Sequence, residues 1–280
     1  MLLPRRALAA ALWACASPAP CSSSANPPAL EAAARPDVKL LLESIPKMPF
    51  DAPATNRTLP LYKVEQIETR ARNLESAPTK NLASDQNIPG AWRLLYTNAR
   101  EITNIAQGLP LGFVLGKTYQ PIDAKTGRFE NQGRIEHIYG LARAKTRVVG
   151  AYAPAAANTI NAAGIVNDSN NRINVNFERL TFELDDFLGV PCSLRKVIAP
   201  QPDPEAPQTA IDVTYIDDTV RITRGGDGAL FVLIRENSEV PMLTDEEFQG
   251  LLSVRGASRV VNGRADADAP PEFRRLVRQR

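Results

Sequence analysis

A chain of 280 residues with 44% hydrophobic and 23% charged content has the make-up of a soluble globular protein of one or two domains, which excludes a wholly disordered or collagen-like chain. The 33 basic and 31 acidic groups leave +2, and that surplus sits in residues 1–35, where Arg5, Arg6 and Arg35 face Glu31, so the remainder balances at 30 against 30. A neutral body lacks the basic face that a polyanion requires, so nucleic acid is excluded as a partner.

Residues 1–35 read as a targeting leader: two arginines, an apolar run from Ala7 to Ala16, then Ser17, Ser22, Ser23 and Ser24, with no acid in the first thirty positions. The apolar run suits a signal peptide and the Ser-rich remainder a plastid transit peptide; a two-part leader satisfies both. The uncharged stretch from Ala7 to Leu30 contains Pro18, Pro20, Pro27 and Pro28, so no helix there spans a bilayer. Cys15 and Cys21 fall in the leader, which leaves Cys192 alone and excludes an intrachain disulfide. Asn56-Arg57-Thr58 and Asn167-Asp168-Ser169 have the form of glycosylation acceptors, a pattern common by chance.

A helical segment is expected over 36–85. Asp37 is placed to cap a short helix carrying Val38, Leu41, Leu42 and Ile45, which Pro46 stops. Leu61, Val64, Ile67, Ala71 and Leu74 then recur every three or four residues among Lys63, Glu65, Glu68 and Arg70, which predicts an amphipathic helix ending before Pro78.

From Gly90 the period shortens to two, with Trp92, Leu94 and Tyr96 against Arg93 and Thr97. Alternation of this kind places strands near 91–97, 116–122, 128–136, 141–153, 172–184, 210–216, 219–224 and 229–235, a mainly β barrel or sandwich of about eight antiparallel strands over residues 86–236. In the fifth strand Ile173, Val175 and Phe177 share one parity and Leu180, Phe182 and Leu184 the other, which a bulge near Glu178 or Arg179 explains. The Asn-rich stretch 158–172 and the segment holding Pro200, Pro202, Pro204 and Pro207 read as surface loops. In the final segment, 237–280, Thr244 and Glu247 form a capping box with Leu243 and Phe248 as a staple, predicting a helix over about 245–254. A basic tail follows.

Little here has the form of a catalytic site, and no cofactor or metal is implied. His137 is the sole histidine, which excludes a His-pair metal centre, and as a lone general base it has no partner motif; a hydrogen-bonded rim histidine is the simpler reading. Cys192 reads as an inert thiol rather than a nucleophile, because no base or helix start adjoins it. Arg224-Gly225-Gly226-Asp227-Gly228 resembles a phosphate loop, yet it lies between two strand-like runs, so its glycines serve a hairpin. Asp217 and Asp218, between Ile216 and Thr219, read as turn residues rather than an acid and base pair.

Two segments carry a resemblance. Gly90-Ala91-Trp92-Arg93-Leu94-Leu95-Tyr96-Thr97 matches an opening strand G-x-W-x-L-L-Y-T, and Thr214-Tyr215-Ile216-Asp217-Asp218-Thr219-Val220-Arg221-Ile222-Thr223-Arg224-Gly225-Gly226-Asp227-Gly228, leading to Phe231-Val232-Leu233, matches a closing T-Y-[LI]-D-x-x-[LV]-R-I-x-R-G-D-x-G-x-x-F-V-L. Gly116 to Asp123 and Val175 to Glu178 fall in the right order more loosely. The chain resembles the plastid lipid-associated proteins of the fibrillin type over about residues 37–236. That resemblance implies a lipocalin-like barrel, a location at thylakoids or plastoglobules in the chloroplast, and binding of apolar molecules such as fatty acids, prenylquinones or carotenoids. Gly90-x-Trp92 is also similar to the first lipocalin signature, in which the tryptophan closes one barrel end beneath an arginine of the last strand; Arg235 is the candidate partner. The chain departs from the family in its Pro-rich 200–207 loop and in the stretch from Val240 to Arg280.

The resulting expectation is a non-enzymatic protein whose barrel takes one apolar lipid or isoprenoid ligand at a peripheral membrane or plastoglobule surface. By parity, Leu94, Tyr96, Phe177, Phe182, Val213, Tyr215 and Val232 point inward as lining or filling. Arg274, Arg275, Arg278 and Arg280, interleaved with Phe273, Leu276 and Val277, suit docking on anionic lipid at about 1 kcal/mol per arginine, against the simpler alternative of a solvated, disordered tail. Two rivals remain: a coat or scaffold protein with a packed interior, and an enzyme on the same barrel, which needs His137, Asp217 or Asp218 to line a cavity.

Overall fold

The shift of period at Gly90 becomes a shift from helices to a sheet in a computed structural model, which describes residues 35–106, 109, 112–201, 208–254, 258–261 and 264–265. Residues 1–34 of the leader, positions 202–207 and the four tail arginines lie outside the described residues. The order is α1 (Pro36–Ser44), β1 (Ala54–Thr55), α2 (Leu61–Glu75), β2 (Gly90–Thr97), α3 (Arg100–Ala106), β3 (Phe113–Asp123), β4 (Arg128–His137), β5 (Ala142–Pro154), β6 (Arg172–Phe187), β7 (Val190–Gln201), β8 (Ala210–Ile216), β9 (Val220–Gly225), β10 (Leu230–Arg235), α4 (Asp245–Leu252), β11 (Ser258–Val261) and β12 (Arg264–Ala265). The protein is mainly β. All eight sequence-predicted strands are present, and β7, α3 and the short strands β1, β11 and β12 add to them.

Strand pairing returns on itself. β2, β3, β4, β5 and β6 pair in sequence, β6 pairs with β8 through Arg172, Ile173 and Asn174, and β8, β9 and β10 lead back to β2, all antiparallel. Beyond Asn174, β6 parts from β8 and pairs with β7 from Leu180 to Phe187. β11 adds in parallel to β7 over 258–261, within the stretch read as a basic tail. The pairing is thus closed at one end of β6 and continues as a flap at the other.

A bulge keeps β6 in phase with that ring. Val149 pairs with Arg179 and Gly150 with Phe177, so Glu178 is the extra residue. Phe177 and Leu180 therefore stay on one face, as the parity change in the sequence requires. Two further bulges act oppositely. Leu95 is skipped where Leu233 pairs with Leu94 and Val232 with Tyr96, and Thr214 is skipped between Val213 and Tyr215. They turn Tyr96 and Tyr215 away from the face that carries Trp92.

Two cores result. On the inner face Trp92, Leu94, Ile122, Phe129, Val175 and Val213 pack together, with Leu82 and Ile88 of the α2–β2 connection covering one end. On the outer face Tyr96, Tyr215, Ile222 and Val232 lie under α1 and α2, against Val38, Leu41, Ile67 and Leu74. Each fully buried side chain of this size contributes about 1.5–3 kcal/mol, so the helices are held by packing on the sheet. Polar contacts fix their register: Arg224 donates to both Glu75 oxygens at 2.9 and 2.7 Å, and the Tyr96 hydroxyl donates to Glu68 at 2.9 Å. α1 starts two residues earlier than expected. Arg35 is its N-cap, and Asp37, inside the first turn, accepts from the Val38 N–H instead of capping.

α4 has the full capping box, with the Thr244 hydroxyl accepting from Glu247 N–H and the Glu247 carboxylate from Thr244 N–H. The Thr244 N–H, and after it the Thr244 hydroxyl, hold the Glu247 carboxyl below its ordinary range. Phe248 and Leu251 seat α4 on Val149, on the outer face of β5, with Leu243 packed alongside as the staple requires. Arg179 donates to Leu252 O at 2.7 Å and Arg128 lies 4.7 Å from the Phe248 ring.

Candidate functional site

A small ring of strands must fill or line its inside with the side chains of one face. The face carrying Trp92 is filled only in part. At the Trp92 end Ile122, Phe129, Ile173 and Val213 are buried. Along β3–β6 the same face carries Gln120, Asn131, Thr146, Val148 and Leu180, each partly solvent-accessible, and then Phe177 at 38% and Phe182 at 41% exposure. Two large aromatic rings left open to solvent on a face that register turns inward are not the pattern of a packed core. The glycines on this face make room for neighbours: a Cβ at Gly150 meets Asn176 O at 2.3 Å and the Phe129 ring at 2.9 Å. The Phe129 ring meets Phe177 edge to face at 5.8 Å.

Trp92 is fully buried between two guanidinium groups. Its Nε1 donates to Ile88 O at 3.0 Å; Arg235 lies 4.0 Å from the ring centroid and Arg221 4.9 Å. Arg235 donates to the carbonyls of Pro89 and Asn87 at 2.6 and 2.7 Å, tying β10 to the segment that covers this end. Trp92 and Arg235 were named in the sequence; Arg221 was not. Its signal was its position between Val220 and Ile222, which puts it on the opposite face with Thr223.

The structure divides the seven residues expected to point inward. Leu94, Phe177, Phe182 and Val213 share the Trp92 face, the first and last buried and the two phenylalanines exposed. Tyr96, Tyr215 and Val232 belong to the outer core beneath α1 and α2. The bulges at Leu95 and Thr214 are the physical reason for Tyr96 and Tyr215, since one inserted residue reverses every later side chain, while Val232 follows the unbroken alternation of β10, in which Leu233 and Arg235 take the Trp92 face. Burial, reinforced by Glu68 and by Asp217 respectively, pushes the Tyr96 and Tyr215 hydroxyls well above their ordinary range.

The residues weighed for catalysis lie apart. His137 ends β4, where Nδ1 accepts from Tyr139 N–H at 3.2 Å and the ring meets Phe113 at 5.3 Å. Asp217 holds the β8–β9 turn by accepting from Thr219 N–H, Val220 N–H and the Tyr215 hydroxyl, and Asp218 is exposed on the same turn. Cys192 is half-buried on β7, its Sγ 3.5 Å from Leu184 O. Gly225 to Gly228 form the β9–β10 hairpin, with Gly228 at a φ of 88°. No cluster of three metal-ligating side chains occurs among the described residues. An open polar groove of about 630 Å³ lies on the other side of β4–β5, lined by Gln132, Arg134, Arg143, Lys145, Ser238 and Pro241 among others.

The Asn-rich loop is built into the fold. Arg172, 2% exposed, makes a bidentate pair with Asp212 at 2.7 and 2.8 Å and donates to the carbonyls of Thr159 and Ile165. Asn167 is 3% exposed; its side chain donates to Ala156 O and accepts from the Asn171 and Arg172 N–H groups. A buried, fully bonded amide is closed to glycosylation in the folded state.

At the far end of the inner face the β4–β5 and β6–β7 hairpin tips adjoin, with Leu188 N–H donating to Leu141 O at 2.7 Å. Ile138, Tyr139, Leu141, Phe187, Leu188 and Val190 are 44–79% exposed there. No helix among the described residues is long and apolar enough to cross a membrane.

The family model PAP_fibrillin matches residues 52–234, which takes in α2 and the ring of strands up to Ile234, one residue before Arg235. A plastid-lipid-associated protein 6, chloroplastic, of Arabidopsis thaliana is 29% identical over 192 residues, 61% of this chain, and the chain spans 61% of that relative's length. With well over half its residues under the family model, the chain belongs to the PAP_fibrillin family.

Proposed function

We propose that the protein is a non-enzymatic, plastid lipid-associated protein whose strand ring is a lipocalin-like barrel accepting one apolar molecule, such as a fatty acid, prenylquinone or carotenoid. The observation that carries this reading is the inner face itself, where Phe177 and Phe182 stay open beside Val148 and Leu180 while the Trp92 end is packed. A coat protein with a filled interior has no use for that exposure. Leu94 and Val213 form the floor of the site, and Phe177 and Phe182 its wall. Trp92 under Arg235 is the barrel closure. A catalytic role is disfavoured because the Asp217 carboxylate is spent on its own turn and no carboxylate among the described residues forms an ion pair with His137.

The name of the Arabidopsis relative supports a chloroplast location and lipid association. Contact with a thylakoid or plastoglobule surface is supported by the two uncharged hairpin tips, whose apolar side chains stand at the open end of the inner face while their backbone bonds close internally. The arginines at 274, 275, 278 and 280 add a second, electrostatic contact with anionic lipid.

The test is a titration of the full chain carrying Trp13→Phe, so that Trp92 alone reports, with a fatty acid and a prenylquinone, together with mass spectrometry of co-purifying lipid. A saturable change with one lipid per chain is expected. No change and no lipid would transfer the role to the coat or scaffold reading.

A further inference from the structure

The inner face holds one charge that the fold leaves uncompensated. Arg221 on β9 is 1% exposed, and no carboxylate among the described residues pairs with it. Its guanidinium donates to Gln120 Oε1 and stacks on Trp92, but its Nε has no hydrogen-bond partner. Arg235, its neighbour on the ring, is bound to two carbonyls and lies in the field of Asp218, Asp217 and Asp85. Burial, together with the Arg235 charge, works against the cationic form of Arg221, and only the Tyr152 hydroxyl works the other way. An isolated buried cation is costly, and guanidinium groups stay charged. Such a group is accounted for when its counter-charge comes from outside the chain.

The surroundings say what brings that charge. Gln120, held by Arg221 on one side, donates to Asn131 at 2.8 Å on the other. Next along the same face come Thr118, Gly133 and Thr146, paired across β3, β4 and β5, then Phe182 on β6. The face is therefore cationic and polar beside Trp92 and apolar toward its open side, with a glycine between. We propose that Arg221 anchors the carboxylate of a long-chain acid, whose hydrocarbon chain lies along Val148, Leu180 and Phe182. The Nε–H left unused by Gln120 donates to one carboxylate oxygen in a charge-assisted bond. This inference rests on the lipid-binding reading and narrows it to anionic amphiphiles; neutral isoprenoids lack the group that Arg221 requires.

The experiment measures displacement of cis-parinarate from the full chain by oleate and by methyl oleate, for the unmodified protein and for Arg221→Gln. Oleate is expected to bind at least tenfold more tightly than its ester to the unmodified chain, and Arg221→Gln to remove that preference while changing ester binding less than twofold. Equal binding of acid and ester by the unmodified chain overturns the assignment but leaves an internal lipid site standing. A preference that survives Arg221→Gln overturns it as well. Should none of the three bind, the lipid-binding reading fails and this inference with it. If Arg221→Gln does not fold by circular dichroism, Arg221→Lys, which keeps the charge, and the acid-to-ester ratio of the unmodified chain decide.

Discussion

Replacing Trp92 by phenylalanine tests how the covered end of the strand ring is held. The substitution keeps an aromatic ring but removes the Nε1–H bond to Ile88 O, leaving a buried acceptor unpaired at a cost of about 1–2 kcal/mol. It also weakens two cation–π contacts, to Arg235 at 4.0 Å and Arg221 at 4.9 Å, each worth about 0.5–1 kcal/mol against the best of the aromatic rings. The smaller ring leaves a void among buried neighbours, adding about 1 kcal/mol. Together these give about 3 kcal/mol, or a fall of about 6–12 °C in Tm for a folded region of this size. Urea unfolding followed by far-UV circular dichroism measures it, because the fluorescence reporter is lost. A loss below about 1 kcal/mol with an unchanged m-value would refute the idea that Trp92 and its two arginines lock the end of the ring.

Further outcomes follow from the same geometry. Gly150→Ala forces a Cβ against Asn176 O and the Phe129 ring, and a stability loss of about 2–3 kcal/mol by thermal melting is expected. Glu75→Ala strands the Arg224 guanidinium and releases the Thr214 hydroxyl; about 2 kcal/mol, discounted for partial exposure, is expected in chemical denaturation. The Glu247 carboxyl is held below its unfolded value by the Thr244 N–H, so its contribution is complete above the unfolded pKa and fades as pH falls through the folded one; Glu247→Gln should flatten that acid limb of the stability profile. Leu188→Asp at the hairpin tip and deletion of 266–280 should each reduce flotation with liposomes, the first on neutral and anionic vesicles alike and the second on anionic vesicles only.

The parts of the fold written in side-chain period were legible before any coordinates. Leu61 to Leu74 specified α2, Thr244 and Glu247 specified α4, and alternation placed eight strands. Glu178 could be found as a bulge because apolar parity switches across it. The bulge at Leu95 left no such trace: Leu94, Leu95 and Tyr96 are all large and apolar, so either residue of the pair suits either face. That ambiguity, with the same one at Thr214, sent Tyr96 and Tyr215 to the wrong side of the sheet in the sequence reading. β7 was hidden by Pro191 and Pro200, which stand at its ends, opposite Asp186 and in the parallel pairing with β11. Arg221 was passed over because a charged residue within a strand reads as solvent-facing, whereas here both neighbours, Val220 and Ile222, face the helices and force it inward.

On the proposed reading the inner face holds the ligand, and photo-crosslinking tests that placement most directly. The full chain loaded with a diazirine-bearing fatty acid, irradiated and mapped by peptide mass spectrometry, is expected to carry label at Val148, Phe177, Leu180 or Phe182, one label per chain, removed by excess oleate. Label confined to the outer face under α1 and α2, or to the hairpin tips, or absent altogether, would contradict an internal lipid site.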